Sequence, residues 1–119
     1  MAVDFSIEQA EGYAVVRVFG SPSLAQFSAF IRRMAVESTR WPHGRGLFDL
    51  RGITTLRTVT DHVAIGTAVA EHLRHMRKIA SLVPPERITG ISRRVAQEGG
   101  VNLAVFVTEA EAIEWLLAD

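Results

Sequence analysis

Val3-Asp4-Phe5-Ser6-Ile7-Glu8, followed after Glu11-Gly12 by Tyr13-Ala14-Val15-Val16-Arg17-Val18-Phe19, is the stretch that decides the fold. Val3, Phe5 and Ile7 alternate with Asp4, Ser6 and Glu8, the period of two that marks a half-exposed strand. The second run is apolar almost throughout and reads as a more buried strand. The tight turn between them makes the pair an antiparallel hairpin. Gly20-Ser21-Pro22 then stops the strand and starts a helix. Ser21 is the expected N-cap, and Pro22 suits the first helical position, where a missing N–H removes no hydrogen bond.

Beyond the hairpin the period changes. Leu24, Phe27, Ile31 and Met34 fall at helical spacing and form one apolar face, with Arg32 and Arg33 off it. Trp41-Pro42-His43-Gly44 is a loop, and residues 46–50 are a short apolar strand ending in Arg51-Gly52. A long turn over 53–59 leads to a second helix capped by Thr60 or Asp61, with Ile65, Val69, Leu73 and Met76 on its apolar side. Residues 78–83 form the next strand. Pro84-Pro85-Glu86 opens a third helix carrying Ile88, Ile91 and Val95, and Gly99-Gly100 closes it. Residues 101–107 are the last strand, and Thr108 with Glu111 forms a capping box for a final helix.

The order ββαβαβαβα predicts an α/β fold. Its core is a single-layer mixed sheet of about five strands, with the N-terminal hairpin antiparallel and the rest mainly parallel. About four helices cover it, and strands covered on both faces explain the near-continuous apolar runs. A chain of 119 residues suits one domain spanning 1–119, and 48% hydrophobic residues suffice for one core. There are no cysteines, which excludes disulfides, thiolate metal sites and cysteine nucleophiles. The start MAVDFSIEQAEG lacks a signal-peptide pattern, and no stretch approaches the ~20 apolar residues of a membrane span. A cytoplasmic location is the expectation.

Net charge is zero but unevenly placed. Residues 32–94 hold twelve of the thirteen basic residues against five acids, while the two ends carry eight acids and Arg17. No arginine run exceeds two, so solvated helix faces explain the pattern better than a nucleic-acid footprint.

The strand end Leu47-Phe48-Asp49-Leu50-Arg51-Gly52 and the ending Val105-Phe106-Val107-Thr108-Glu109-Ala110-Glu111-Ala112-Ile113-Glu114-Trp115-Leu116 carry a resemblance. Together with the element order they resemble the SpoIIAA-like proteins of the STAS superfamily (sulfate transporter and anti-sigma-factor antagonist domains), over nearly the whole chain. The resemblance implies a bacterial, partner-binding module of regulation or transport, with a layout similar to lipid-carrying domains. In anti-sigma-factor antagonists a serine in an Asp-Ser-Ser-Gly motif at the start of the helix after the third strand is phosphorylated. Here that place holds Arg57-Thr58-Val59-Thr60, with no serine, and the acid is replaced by Arg57 or displaced to Asp61. Thr58 or Thr60 is left as the phosphate acceptor.

Open α/β sheets bind ligands beyond the carboxyl ends of their strands. That rule and the resemblance give a candidate anion or partner site of Ser21, Asp49, Arg51, Gly52, Arg57, Thr58, Thr60 and Asp61. The plainer reading of Thr58, Thr60 and Asp61 is helix capping.

Other motifs are thin. His72 and His75 stand three apart on the second helix without a clear third ligand, so surface positions are expected and no metal. His43 lies in a loop. There is no G-x-S-x-G elbow, Walker loop or dinucleotide fingerprint, and no cofactor is implied. Phe27, Phe30, Phe48, Phe106 and Trp115 are expected in the core, with Phe30 and Trp41 placed to line a pocket or a subunit contact. Ala64, Gly66, Ala68 and Ala70 make the second helix small-sided. The expected function is a non-enzymatic regulatory protein-interaction domain, for which a homodimer is one arrangement. The alternative is a carrier or sensor of a small apolar or lipid-like ligand, held between the second and third helices and the sheet. A deep apolar cavity would favour the carrier.

Overall fold

A computed structural model describes residues 3–87 and 90–118. Its elements are β1 (Val3–Ala10), β2 (Tyr13–Gly20), α1 (Leu24–Glu37), β3 (Arg45–Ile53), α2 (Val59–His72), β4 (Lys78–Leu82), α3 (Ile91–Glu98), β5 (Leu103–Phe106) and α4 (Glu109–Leu117). Short 3₁₀ turns occur at Ser38–Arg40 and Pro85–Arg87. The five strands form one sheet in the order β1-β2-β3-β4-β5. The first pair is antiparallel and the other three are parallel. Spatial order therefore repeats chain order.

That order dictates where the helices go. Right-handed crossovers between successive parallel strands all land on the same face of such a sheet. Accordingly Phe27, Phe30, Ile31, Met34, Val69, Leu73 and Ala96 of α1, α2 and α3 share one core cluster with Val16, Phe48, Ile79 and Leu103. The alternate strand residues Val15, Leu47, Ala80 and Leu82 face the opposite way and pack with Ala112 and Leu116 of α4. Three helices cover one face and one covers the other. No helix among the described residues is long and apolar enough to cross a membrane.

The expected boundaries move in several places. The cap of α1 is Ser23, not Ser21, because Ser23 and Gln26 form a reciprocal capping box: the Ser23 hydroxyl accepts from the Gln26 N–H, and the Gln26 side chain accepts from the Ser23 N–H. Of the residues read as caps of α2, Thr58 is the N-cap and Asp61 its reciprocal partner, whereas Thr60 lies inside the first turn. That helix ends at His72, so Leu73 and Met76 are buried from the turn that follows. Pro84-Pro85-Glu86 opens only a 3₁₀ turn. The α3 helix begins after Gly90, whose φ of 74° interrupts any continuous helix. Ile88 lies outside the described residues. Thr108 caps α4 as expected, but the Glu111 carboxylate accepts the Thr108 hydroxyl.

Candidate functional site

Between α1, α2, α3 and the sheet lies a cavity of about 120 Å³. Its inner end is closed by Met34, Leu73, Ile79 and Leu103, each no more than 6% exposed. Half-exposed Leu50, Ser81, Val83 and Val105 line it towards the carboxyl ends of β3, β4 and β5, with Ile65 and Ser92 from the first parts of α2 and α3. The cavity thus opens at the strand ends where open α/β sheets place their ligands. Phe30 lines it with Phe27 and Ile31, so α1 joins α2 and α3 as a wall. Trp41 packs on Phe48 (ring centroids 6.2 Å apart) and is 8% exposed.

The roof of the cavity rests on small residues. A Cβ on Gly66 of α2 would stand 2.7 Å from the Ser92 carbonyl and 2.8 Å from Val95 Cβ. The two helices therefore approach closer than any side chain at that position permits, and the small-sided face of α2 serves helix-on-helix contact.

Polar atoms on the lining are few. Thr55 donates its hydroxyl to the Pro22 carbonyl at 2.6 Å. Leu56 is the non-glycine residue with positive φ (66°) among the described residues. That left-handed backbone costs about 1–2 kcal/mol. His62 stands 3.1 Å from it, with Nε2 donating to the Leu56 carbonyl. Arg87 Nη1 reaches the Thr55 carbonyl at 3.4 Å. Among the described residues no Asp or Glu lines the cavity. Such a space can hold an apolar group and has little to offer acid–base chemistry.

On the opposite face the charged groups are spent on one another. The Asp49 carboxylate accepts from Arg17 Nη1 (2.9 Å), and from Arg51 Nε and Nη2 (both 3.0 Å) and the Arg51 backbone N–H (3.1 Å). Arg17 also donates to both oxygens of Glu109 at the start of α4 (2.9 and 3.2 Å). Burial alone would push the Asp49 carboxyl up, but the hydrogen bonds from Arg51 and Arg17 outweigh it and hold it below the usual range. The hydrogen bond from Arg17 likewise holds Glu109 down.

The eight residues singled out from sequence therefore do not come together in one site. Asp49 and Arg51 belong to the ion network on the α4 face. Gly52 sits at the register shift between β2 and β3, where a Cβ would lie 2.8 Å from the Val18 carbonyl. Arg57, Thr58, Thr60 and Asp61 stand at the start of α2, with Thr58 and Asp61 occupied in the cap. Ser21 is exposed and hydrogen-bonded to Thr54. His62 and Arg87 were not singled out at all, although their position beyond the ends of β3 and β4 was the available signal. His72 and His75 make separate contacts, to Glu71 at 3.8 Å and Ser38 at 2.7 Å. Among the described residues no group of three metal-type ligands occurs.

A family model described as SpoIIAA-like matches residues 13–117. A solved anti-sigma factor antagonist from Mycobacterium paratuberculosis is similar in structure, with a TM-score of 0.69 and 13% identity, over 98% of this chain and 96% of that one. An uncharacterised protein with a SpoIIAA-like fold from Shewanella loihica PV-4 gives a TM-score of 0.58 and 16% identity, over 97% and 93%. None of the curated proteins compared with the chain matches it significantly.

Proposed function

From the premise that the chain belongs to the SpoIIAA-like family, we propose that it is a non-enzymatic regulatory binding domain whose ligand is a small apolar molecule. The observation that carries this reading is the apolar cavity between three helices and the sheet. An apolar cavity of ~150 Å³ holds one benzene and otherwise stays dry. About 120 Å³ therefore suits a single ring or a chain of five or six carbons. Each buried CH₂ contributes ~0.8 kcal/mol, offset by the freedom lost on association. The affinity expected is in the high micromolar to millimolar range.

The test is titration of the protein with benzene, followed by methyl chemical shifts. Saturable shifts at the lining residues Ile65, Val69 and Leu103 support the reading. No methyl chemical-shift change up to the solubility of benzene sinks it.

A second reading, a protein-interaction domain, is supported by the outer side of α2. Val59 and Val63 lie one helical turn apart and are 63% and 42% exposed, beside Arg57 and Thr60. The similarity to an anti-sigma factor antagonist supports a protein partner. A phosphate on Thr60 would sit in the first turn of α2, where the helix dipole favours it. Phosphate on Thr58 would instead displace a capping hydroxyl. Phosphopeptide mapping of the protein from its host decides between the two threonines. A partner captured by the wild type and lost with Val59→Asp would place the interface here, and retention would exclude it.

A further inference from the structure

Arg87 is the cation on the wall of the cavity among the described residues. It is half-buried, and its guanidinium makes one hydrogen bond, a long one to the Thr55 carbonyl. No carboxylate of the described residues stands within ion-pair distance. Asp49 and Glu109 carry their arginines on the other face of the sheet. Burial pushes the Arg87 guanidinium down and Arg57 adds repulsion, against a weaker pull from Glu86. A desolvated guanidinium retains unused donors in a fork that fits a carboxylate.

We propose that the ligand is an amphipathic acid, a carboxylate borne on a ring or short alkyl chain, with its apolar part in the cavity and its carboxylate on Arg87. This deepens the ligand-binding reading and rests on it. The cavity supplies the apolar attraction, and none of its described lining residues is a carboxylate that would repel an incoming anion. Ser81 and Ser92, both half-exposed, add hydroxyl donors to the lining. Charge-assisted hydrogen bonds to a guanidinium are about twice as strong as neutral ones, so the acid is preferred over its neutral analogue by roughly tenfold.

The experiment titrates the full chain with hexanoate and benzoate against hexanamide and benzamide, followed by methyl and backbone chemical shifts. Acetate serves as the tailless control. Wild type should bind the acids about tenfold more tightly than the amides, with shifts at Ile65, Val69 and Leu103 and none with acetate. Arg87→Gln should abolish that preference and leave amide binding within about twofold, while Arg87→Lys should keep part of it. Amides binding as well as acids, or Arg87→Gln weakening both equally, would overturn the inference and leave the apolar cavity reading standing. Failure of all four probes would remove the cavity reading itself. Saturation by acetate alone would mean an anion site with no use for the cavity, and would overturn the inference too.

Discussion

On one face of the sheet a single helix, α4, lays Ala112 and Leu116 on Val15, Leu47, Ala80 and Leu82, and all six are buried. On the other face three helices stand over a larger apolar surface and leave about 120 Å³ open. The polar groups divide in the same way. Those on the α4 face are paired with each other, with Lys78 also donating to the Trp115 carbonyl at 2.7 Å, whereas Arg87 beside the cavity has no ion-pair partner among the described residues. The difference separates two uses of an apolar face. Where packing is complete, burial stabilises the fold. Where helices rest on one another through Gly66 and Ala70, the sheet below them keeps room for something else.

Truncation should separate the faces most clearly. Leu116→Ala removes a fully buried side chain from the filled side and should cost about 3 kcal/mol in denaturant unfolding. Ile65→Ala, at a half-exposed position bordering empty space, should cost about 1 kcal/mol. Equal losses would mean the two faces are packed alike. Next comes Asp49→Ala, which leaves Arg17 and Arg51 sharing Glu109 alone and should destabilise by about 2–3 kcal/mol. Retention of full stability would reduce the network to a surface ornament.

Acid sharpens the same point. The folded-state values of Asp49 and Glu109 lie below their unfolded values of about 4, so their stabilisation is fully present above that pH. It is lost as pH falls below about 4 and through the depressed folded values, by at most ~1.4 kcal/mol per pH unit for each carboxyl. Asp49→Asn should make that fall shallower, as read from urea midpoints between pH 7 and 3. An unchanged slope would assign acid loss to other carboxyls. The smallest effect is expected from filling the cavity. Val105→Phe should raise stability by about 0.5–1 kcal/mol and abolish binding of small apolar probes. A fall in stability would show that the space is too narrow for a ring.

Much of the architecture was legible in the chain. The alternation from Val3 to Glu8 and the apolar run from Tyr13 to Phe19 gave the hairpin, and helical spacing gave α1 its buried Phe27, Ile31 and Met34, whereas in α3 the buried residue is Ala96, which the spacing did not single out. Caps slipped by two residues because candidates crowd together: Ser21 competes with Ser23, and Thr60 with Thr58. Only the partner three residues on, Gln26 or Asp61, distinguishes them. The cavity was beyond reach for a different reason. Periodicity tells which face of a helix is apolar, not whether the opposing surfaces meet. Arg87 read as one more solvated arginine, since its isolation depends on what the fold puts nearby. The Asp49-Leu50-Arg51-Gly52 stretch was conspicuous, but its partner Glu109 lies sixty positions away from Asp49 and ninety-two from Arg17.

Because the strands lie in space in the order of the chain, each βα unit finds its neighbouring edge already built as the polypeptide grows. Nothing in the sheet must wait for a distant segment, which keeps loop closures short and folding quick for a parallel architecture. The ion network is the exception. Arg17 is made ninety-two residues before Glu109, so that contact forms only when α4 docks on the finished sheet.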